Sequence, residues 1–594
     1  MEKNRIRIFV FIFLLICSLG ASCSKEPVDK DPELDPPQTG KKFLHARGQA
    51  IFDGNGDEII LKGVGLGGWF LQEGYMLGTS GPQHEIRKFL EELAGKAAAD
   101  QFYEDWLKYF VTEKDIEQIK NWGYNSIRIP LHYNLFFDEN DRWVESNNVG
   151  FKYLDDLLNW CIKHELYLFP DLHAAPGGQG GVRDICDGKE GESLWEDVKY
   201  QDMTVLLWQK IAERYSEEVW IGGYDLLNEP NYDFENSGNS RGCNCKENKP
   251  LLRLHERMID AIREVDKNHL LIMEGNCMGG NYNGMESLAA YDKEKNVAFS
   301  FHSYWIENTP QAIQGKLSLR AKLNVPLWRG EIGENSNSWF TNMVKLMDQL
   351  HIGWANWPWK KINNYDGPVI IEPIPLWNKV IAYKANRSNP KPTMAETQEA
   401  LSQLIENIKL ENCRLMHDVA YAYIDLPLGA GAKPFAVHSI PGVIQISDYD
   451  YGEYNKTWFD TEYQNTSGSS SNSWNKGGVY RNDGVDIWKS SALEAPSNGY
   501  FVGEIKAGEW LQYSMKDIQA GKYQVSARVR SKKGGSFSIY AGGEKIASFS
   551  FDDTDNVWRD KTEAEVTVPN KNPLKVVFDQ DGFDIAFIQF VKND

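Results

Sequence analysis

Between Ile59 and Trp359 the chain alternates short apolar runs with stretches of helical periodicity, about eight times over. The runs are Ile59–Gly63, Asn125–Pro130, Leu166–His173, Gly222–Pro230, His269–Glu274, Val297–Tyr304, Leu327–Gly333 and His351–Trp359. Nearly continuous apolarity marks strands buried on both faces, and strands that alternate with helices build a parallel sheet. Many of these runs end on polar or aromatic residues. In an open sheet such residues gather at one switch point, whereas a closed barrel collects them from every strand end. The pattern therefore predicts a (β/α)8 barrel. The glycines of GVGLGG, after the first run, lack the spacing and the following helix of a nucleotide-binding turn.

A length of 594 residues exceeds one core, so further domains are expected. Leu376–Tyr383 reads as the closing helix of the barrel, and Met394–Leu410 as a second helical piece, inserted after Pro390 and Pro392. The turn-rich Leu426–Pro434 marks the boundary, giving a barrel with a helical extension over 43–434. From Phe435 onward β-rich runs such as Trp510–Met515, Lys522–Val529 and Leu574–Phe578 alternate with Gly, Asp and Asn. This predicts an all-β sandwich over 435–594.

The first residues pair Lys3, Arg5 and Arg7 with an apolar run, Ile8–Leu19, too short to span a membrane. Residues 1–22 read as a signal peptide. Leu19–Cys23 resembles a bacterial lipoprotein box, with Cys23 as the lipidated residue, and 23–42 reads as an acidic, Pro-rich tether. An exported chain, lipid-anchored at a bacterial surface or in the periplasm, or else secreted, is the expectation. A net charge of −20 without a basic stripe excludes a nucleic-acid partner. Cys243 and Cys245 have no partner cluster for a zinc site. Export leaves a disulfide from this loop to Cys186 open, with pairing unreadable from sequence.

Glu229 in GGYDLLNEP and Glu331 in LWRGEIG each place a carboxylate near the end of an apolar run. A carboxylate at the mouth of an apolar strand is costly unless it has a partner or a task. A pair of them suits glycosidic bond cleavage, with one protonated to serve the leaving oxygen and one ionised to attack the anomeric carbon. Arg128 is placed to hold Glu331 as an anion, Asn228 to bond a sugar 2-hydroxyl, His302 to contact Glu229, and Tyr304 to contact Glu331. Trp357 offers an apolar floor, and His173 ends the third run. Taken singly, each is more simply a structural residue. The ordered set at one end of the strands points to an active site.

These residues resemble glycoside hydrolase family 5, over roughly Phe43–Lys384. The resemblance implies Glu229 as acid/base, Glu331 as nucleophile and retention of configuration. It matches Arg128, His173, His302, Tyr304 and Trp357 to the family's pattern. LKGVGLGGWFLQEGY and DLHAAPGGQGG are similar to fungal exo-β-1,3-glucanases and their relatives, which implies that Glu73 binds a terminal glucose and that Trp69 and His132 line nearby structure. A β-glucan substrate with β-1,3 or β-1,6 linkage is favoured. An endo-β-1,4-glucanase and a non-catalytic glycan-binding lipoprotein are the alternatives.

The C-terminal runs IPGVIQISDYDYGEYNKTWFDT, FVGEIKAGEWLQYSM and DGFDIAFIQF resemble carbohydrate-binding module family 6. The resemblance implies that Trp558 is one sugar-stacking ring. Glu504 stands where a second ring is usual, Asp584 and Ala586 stand where asparagines are common, and Ser447 replaces a calcium-binding glutamate. A structural Ca²⁺ near Gln445 and Asp584 is a candidate. Catalysis is expected to need no cofactor or metal.

Overall fold

The computed structural model describes residues 43–469 and 473–593. The leader and tether expectations, Cys23 included, lie outside these residues. Eight parallel strands close a barrel: β1 Lys62–Gly65, β2 Ser126–His132, β3 Tyr167–Ala174, β4 Gly223–Asp225, β5 Leu270–Glu274, β6 Val297–His302, β7 Leu327–Gly333 and β8 Gly353–Trp357. They run in sequence order, with β8 pairing back onto β1. The floor of the barrel is apolar. Phe169, Leu270, Ile272, Ala298 and Trp328 fill it together with Leu44 and with Ile51 of the hairpin His45–Arg47/Ala50–Phe52 that follows Leu44.

Around the strands lie α1 Gln83–Ala94, α2 Lys96–Tyr109, α3 Glu113–Trp122, α4 Val149–His164, α5 Val198–Tyr215, α6 Lys249–Val265, α7 Gln314–Leu323, α8 Asn337–Gln349, α9 Pro375–Ala385, α10 Met394–Asn407 and α11 His417–Ile424. Local chemistry sets their ends. Thr112 with Asp115, and Thr393 with Glu396, form capping boxes that satisfy the first free N–H groups of α3 and α10. Gly123, at φ 100°, stops α3 in the left-handed region that a side chain resists.

Two expectations are corrected. The run Gly222–Pro230 is not a strand up to Glu229: β4 ends at Asp225, and Glu229 itself has φ 44°. The barrel is closed not by Leu376–Tyr383, which lies in α9, but by α11. There Tyr423 stacks on Phe340 of α8 (4.4 Å) and on Trp354 of β8 (5.5 Å). Helix α9 instead packs with α10, which lies on α1 and α2. The proline break frees the chain to build this four-helix flank before it returns to the barrel wall.

Beyond α11 two antiparallel sheets form a sandwich. One is built on Phe583–Lys592 and Gly521–Ser531, the other on Leu574–Phe578 and Gly535–Ala541. Barrel and sandwich belong to one compact unit. Their junction is polar. Asn337 donates to Asp483 (3.1 Å), Asp418 accepts the Asn482 N–H (3.0 Å), Asn482 donates to the Asn335 carbonyl (2.8 Å), and Asn335 and Asn465 exchange side-chain and backbone bonds. All four asparagines are buried.

The disulfide also differs from expectation. Cys243 joins Cys277, while Cys186 and Cys245 are free and buried. Cys186 points instead at the carbonyls of its own turn, Val182 and Arg183. The bond ties the Asn231–Pro250 insert to the turn after β5, where Cys277 and Met278 both hold left-handed backbone. Asn276 and Asn281 bind the same insert through Tyr232, Gly242 and Cys245 carbonyls. Closing a segment of this sequence separation, 34 residues, is worth about 3–4 kcal/mol in the chain-entropy model. Cys277→Ser is therefore expected to lower the thermal midpoint measured under oxidising conditions. An unchanged midpoint would mean that the asparagine bonds hold the insert unaided.

Candidate active site

Above the apolar floor the barrel interior turns charged. Arg128, on β2, is fully buried and reaches four carboxylates: Asp225 (2.9 Å), Glu331 (2.7 Å), Asp171 (3.1 Å) and Glu274 (3.5 Å). Its remaining reach goes to Asn228 Oδ1 (2.8 Å). Burial opposes its charge, but this ring of anions holds the guanidinium well above its ordinary range.

His302, at the end of β6, links the two expected glutamates. Its Nδ1 donates to Glu229 Oε1 (2.8 Å) and lies 3.3 Å from Glu331 Oε2, while Nε2 lies 2.9 Å from Glu274 Oε1. Burial works against charge here too, but Glu274, Glu331 and Glu229 outweigh it and keep His302 an imidazolium. Glu274 also accepts the backbone N–H of Glu229 (2.8 Å), which fixes the left-handed turn that aims the Glu229 side chain.

The two glutamates are driven apart. Burial pushes Glu229 up, and His302 only partly offsets it. Burial pushes Glu331 the same way, but His302, Arg128 and the Tyr304 hydroxyl, which donates to it, bring it below the ordinary range. One oxygen of each glutamate lies within 4.8 Å of the other, with an atom of His302 equally close.

Glu73 and Trp357 complete the pocket. Burial raises Glu73 to about 7, with His173 offsetting part of it from 3.7 Å. Trp357 stacks on His173 at 5.0 Å and 9°, and its indole donates to the Tyr75 hydroxyl (2.9 Å). Glycine makes this possible, because a Cβ at Gly65 would lie 2.5 Å from the Trp357 ring, and one at Gly67 2.7 Å. His173 donates from Nδ1 to Asp171 (2.7 Å) and meets the Asn228 amide at 3.2 Å. Burial disfavours a charge on this ring, while Asp171 and Glu73 pull it up to about 10. The Asn228 amide, turned this way by Arg128, works toward the neutral form with Nε2 as acceptor.

Arg128, His173, Asn228, Glu229, His302, Tyr304, Glu331, Trp357 and Glu73 are thus one contiguous set. Trp69 is not part of it: the ring is buried against Phe70 and Tyr153, and its indole donates to the Leu107 carbonyl. His132 pairs with Asp187 (3.0 Å), which also takes the His84 N–H, so it ties the end of β2 to the segments around Asp187 and His84. Trp558 stands on the sandwich, edge-on to Phe501 with Arg530 over its face.

The calcium candidate does not hold as expected. Gln445 spends its amide on the Pro496 carbonyl and the Asn498 N–H, while Asp584 is paired with Arg530. A guanidinium already neutralises that carboxylate, and the two residues do not share a cluster. Among the described residues one grouping, Glu229, His302 and Glu331, has metal-ligand proximity. In this structure the three are tied to one another, with His302 Nδ1 at 2.8 Å from Glu229 and 3.3 Å from Glu331.

Sequence reasoning did not single out Asp171, Asp225, Glu274 and Tyr75. The first three had a readable signal, since each is a carboxylate inside an apolar run, the same feature that marked Glu229. Tyr75 had none.

Comparisons with known proteins bear on the barrel and the sandwich as domains. Residues 88–363 match the model of Cellulase (glycosyl hydrolase family 5), and residues 479–592 match Carbohydrate binding module (family 6). The chain is 32% identical over 281 residues to a beta-xylosidase of Phanerodontia chrysosporium, a match covering 47% of this chain and 56% of that protein. It is 33% identical over 180 residues to a glucan 1,3-beta-glucosidase of Pichia angusta (28% and 40%). It is 25% identical over 325 residues to Endoglucanase C of Acetivibrio thermocellus (44% and 88%). The chain therefore spans about half the length of the first of these relatives. It carries a glycosyl hydrolase family 5 barrel followed by a family 6 carbohydrate binding module.

Proposed function

We propose that the protein is a retaining β-glycosidase acting on a β-glucan, with β-1,3 or β-1,6 linkages favoured. The observation that carries this is the Glu229–Glu331 pair, within 4.8 Å and with opposite shifts in acidity. Retaining enzymes need carboxyls about 5 Å apart, and inverting ones leave room for a water between them.

In the first step Glu331 Oε attacks the anomeric carbon, and the glycosidic C–O bond breaks as Glu229 gives its proton to the leaving oxygen. In the second, Glu229 takes a proton from water, whose oxygen displaces Glu331. Arg128 and Tyr304 hold Glu331 ionised, and His302 keeps a positive charge against both carboxylates. Glu73, 4% exposed beside His173 and Trp357, is the proposed anchor for the terminal sugar. The likeness to a beta-xylosidase favours one second reading, a β-xyloside, which lacks the hydroxymethyl group that a glucoside brings into the pocket. Export and lipid attachment at Cys23 are also proposed, from the leader pattern. The sandwich, as a carbohydrate binding module, supports a polysaccharide and not a free disaccharide as the target.

Product profiling tests the main reading. Glucose alone, released early from one β-glucan, is the expected result for wild type, with none from Glu331→Gln. A ladder of oligosaccharides would mean endo action, and release from aryl β-xyloside alone would replace the substrate. Glu229→Ala should cut kcat/KM on polymer by roughly 10²–10⁴-fold, with much less loss on aryl glycosides whose leaving group needs no proton.

The pH profile gives a second check. The acid limb follows Glu331, which must be ionised, and the alkaline limb follows Glu229, which must be protonated. The His302 charge lowers both groups, so His302→Asn should move both limbs to higher pH. Movement of one limb alone, or toward lower pH, would contradict the assigned roles. For the anchor, metabolic labelling with a fatty acid should mark the wild-type chain and not Cys23→Ala. Equal labelling would refute lipidation at that residue.

A further inference from the structure

Trp305 follows Tyr304, whose hydroxyl donates to Glu331, so two successive residues lead from the nucleophile to solvent. Trp305 is 42% exposed, whereas Trp357 in the pocket is 4% exposed. Its indole N–H is already satisfied by the Glu334 carbonyl (2.9 Å), and its ring lies 5.7 Å from that of Tyr304. The orientation of the ring is therefore set before any ligand arrives. What holds its other side is not the barrel. Gly468, in the sandwich, lies beside it: a Cβ there would come to an ordinary van der Waals distance, 3.4 Å, from Trp305 Cε3, and Gly468 holds φ 68°. Asn465 Oδ1 caps this loop by accepting the N–H groups of Ser467 (3.0 Å) and Gly468 (3.2 Å). The Asn465 backbone is in turn held by Asn335, four residues after Glu331.

We infer that Trp305, backed by the Asn465–Gly468 loop, is a stacking platform for a further pyranose ring of the glycan, continuous with the catalytic pocket. The C-terminal module then supplies part of the wall of the enzyme's own substrate cleft. The occupant follows from the chemistry. An aromatic face with its polar edge already bonded offers apolar area and no free donor, which suits the C–H face of a sugar more than a charged group. Its place beside Tyr304 and Glu334 puts it on the path of a chain whose end occupies the pocket. A ring fixed on two sides loses little freedom on binding, so its contact is realised nearly in full. This inference rests on the proposed glycosidase reading.

The experiment compares kcat/KM of the full chain on an aryl β-glucoside and on β-1,3- and β-1,6-gluco-oligosaccharides of increasing length. Trp305→Ala is expected to lose about 5–10-fold on the longer oligosaccharides, the size of one stacking contact, and to stay within about twofold on the aryl glucoside. Trp305→Phe should recover most of the loss. Asn465→Ala, which loosens the loop without touching the ring, should reproduce the length-dependent part. Equal loss on short and long substrates, or none on either, overturns the platform and leaves the glycosidase reading intact. A wild-type chain inert on every glycoside overturns that reading instead. Retention of the same oligosaccharides by Glu331→Gln, measured by calorimetry with and without Trp305→Ala, then decides the platform: a difference upholds it, and no difference overturns it.

Discussion

A single guanidinium, buried where water cannot reach it, is the point on which the barrel's upper half depends. Four carboxylates from four different strands converge on Arg128. Left without that cation, they would repel one another at low dielectric, and removing one partner of a buried ion pair typically costs roughly 3–5 kcal/mol. The arrangement is therefore poor economy as stabilisation and good economy as geometry. Each carboxylate is held against one guanidinium at 2.7–3.5 Å, and the position of Glu331 follows from that of its neighbours.

The same positive centre separates the acidities of the two glutamates. Arg128 touches Glu331 and not Glu229, while His302 touches both. Two groups of one chemical type, placed a few ångströms apart, are thus shifted in opposite directions, because Arg128 and His302 both stand beside Glu331 and only His302 beside Glu229. The left-handed backbone at Glu229 belongs to this scheme as well. Glu274 holds that turn, and Glu274 is held by Arg128 and His302.

Much of this was legible in the sequence where a residue breaks a strong pattern. Glu229, Glu331 and Arg128 stand out because charge inside an apolar strand needs a reason. The barrel itself follows from periodicity. What was not legible depends on contacts distant in sequence. Trp69 shares the glycine-rich run with Glu73, yet it points the other way, into Phe70 and Tyr153, and one-dimensional spacing does not reveal a direction. Cys243 finds Cys277 because the insert folds back over the turn after β5. Helix α9 has the composition of a closing helix, and only the competition for the space beside Trp354, won by Tyr423 of α11, shows that it is not one.

The junction between barrel and sandwich includes a seam of buried asparagine and aspartate side chains. An apolar contact tolerates sliding and rotation, because any greasy surface of about the right shape satisfies it. Buried amides do not, since each misaligned donor or acceptor is left unpaired at a cost of roughly 1–3 kcal/mol. Asn335, Asn337, Asn482 and Asp418 accept one relative orientation. In evolutionary terms the two halves cannot be shuffled freely: a homologous sandwich transplanted onto this barrel would bring the fold without the matching amides. Changes on either side of the seam are thereby coupled, because a substitution at one amide leaves its partner across the seam unpaired.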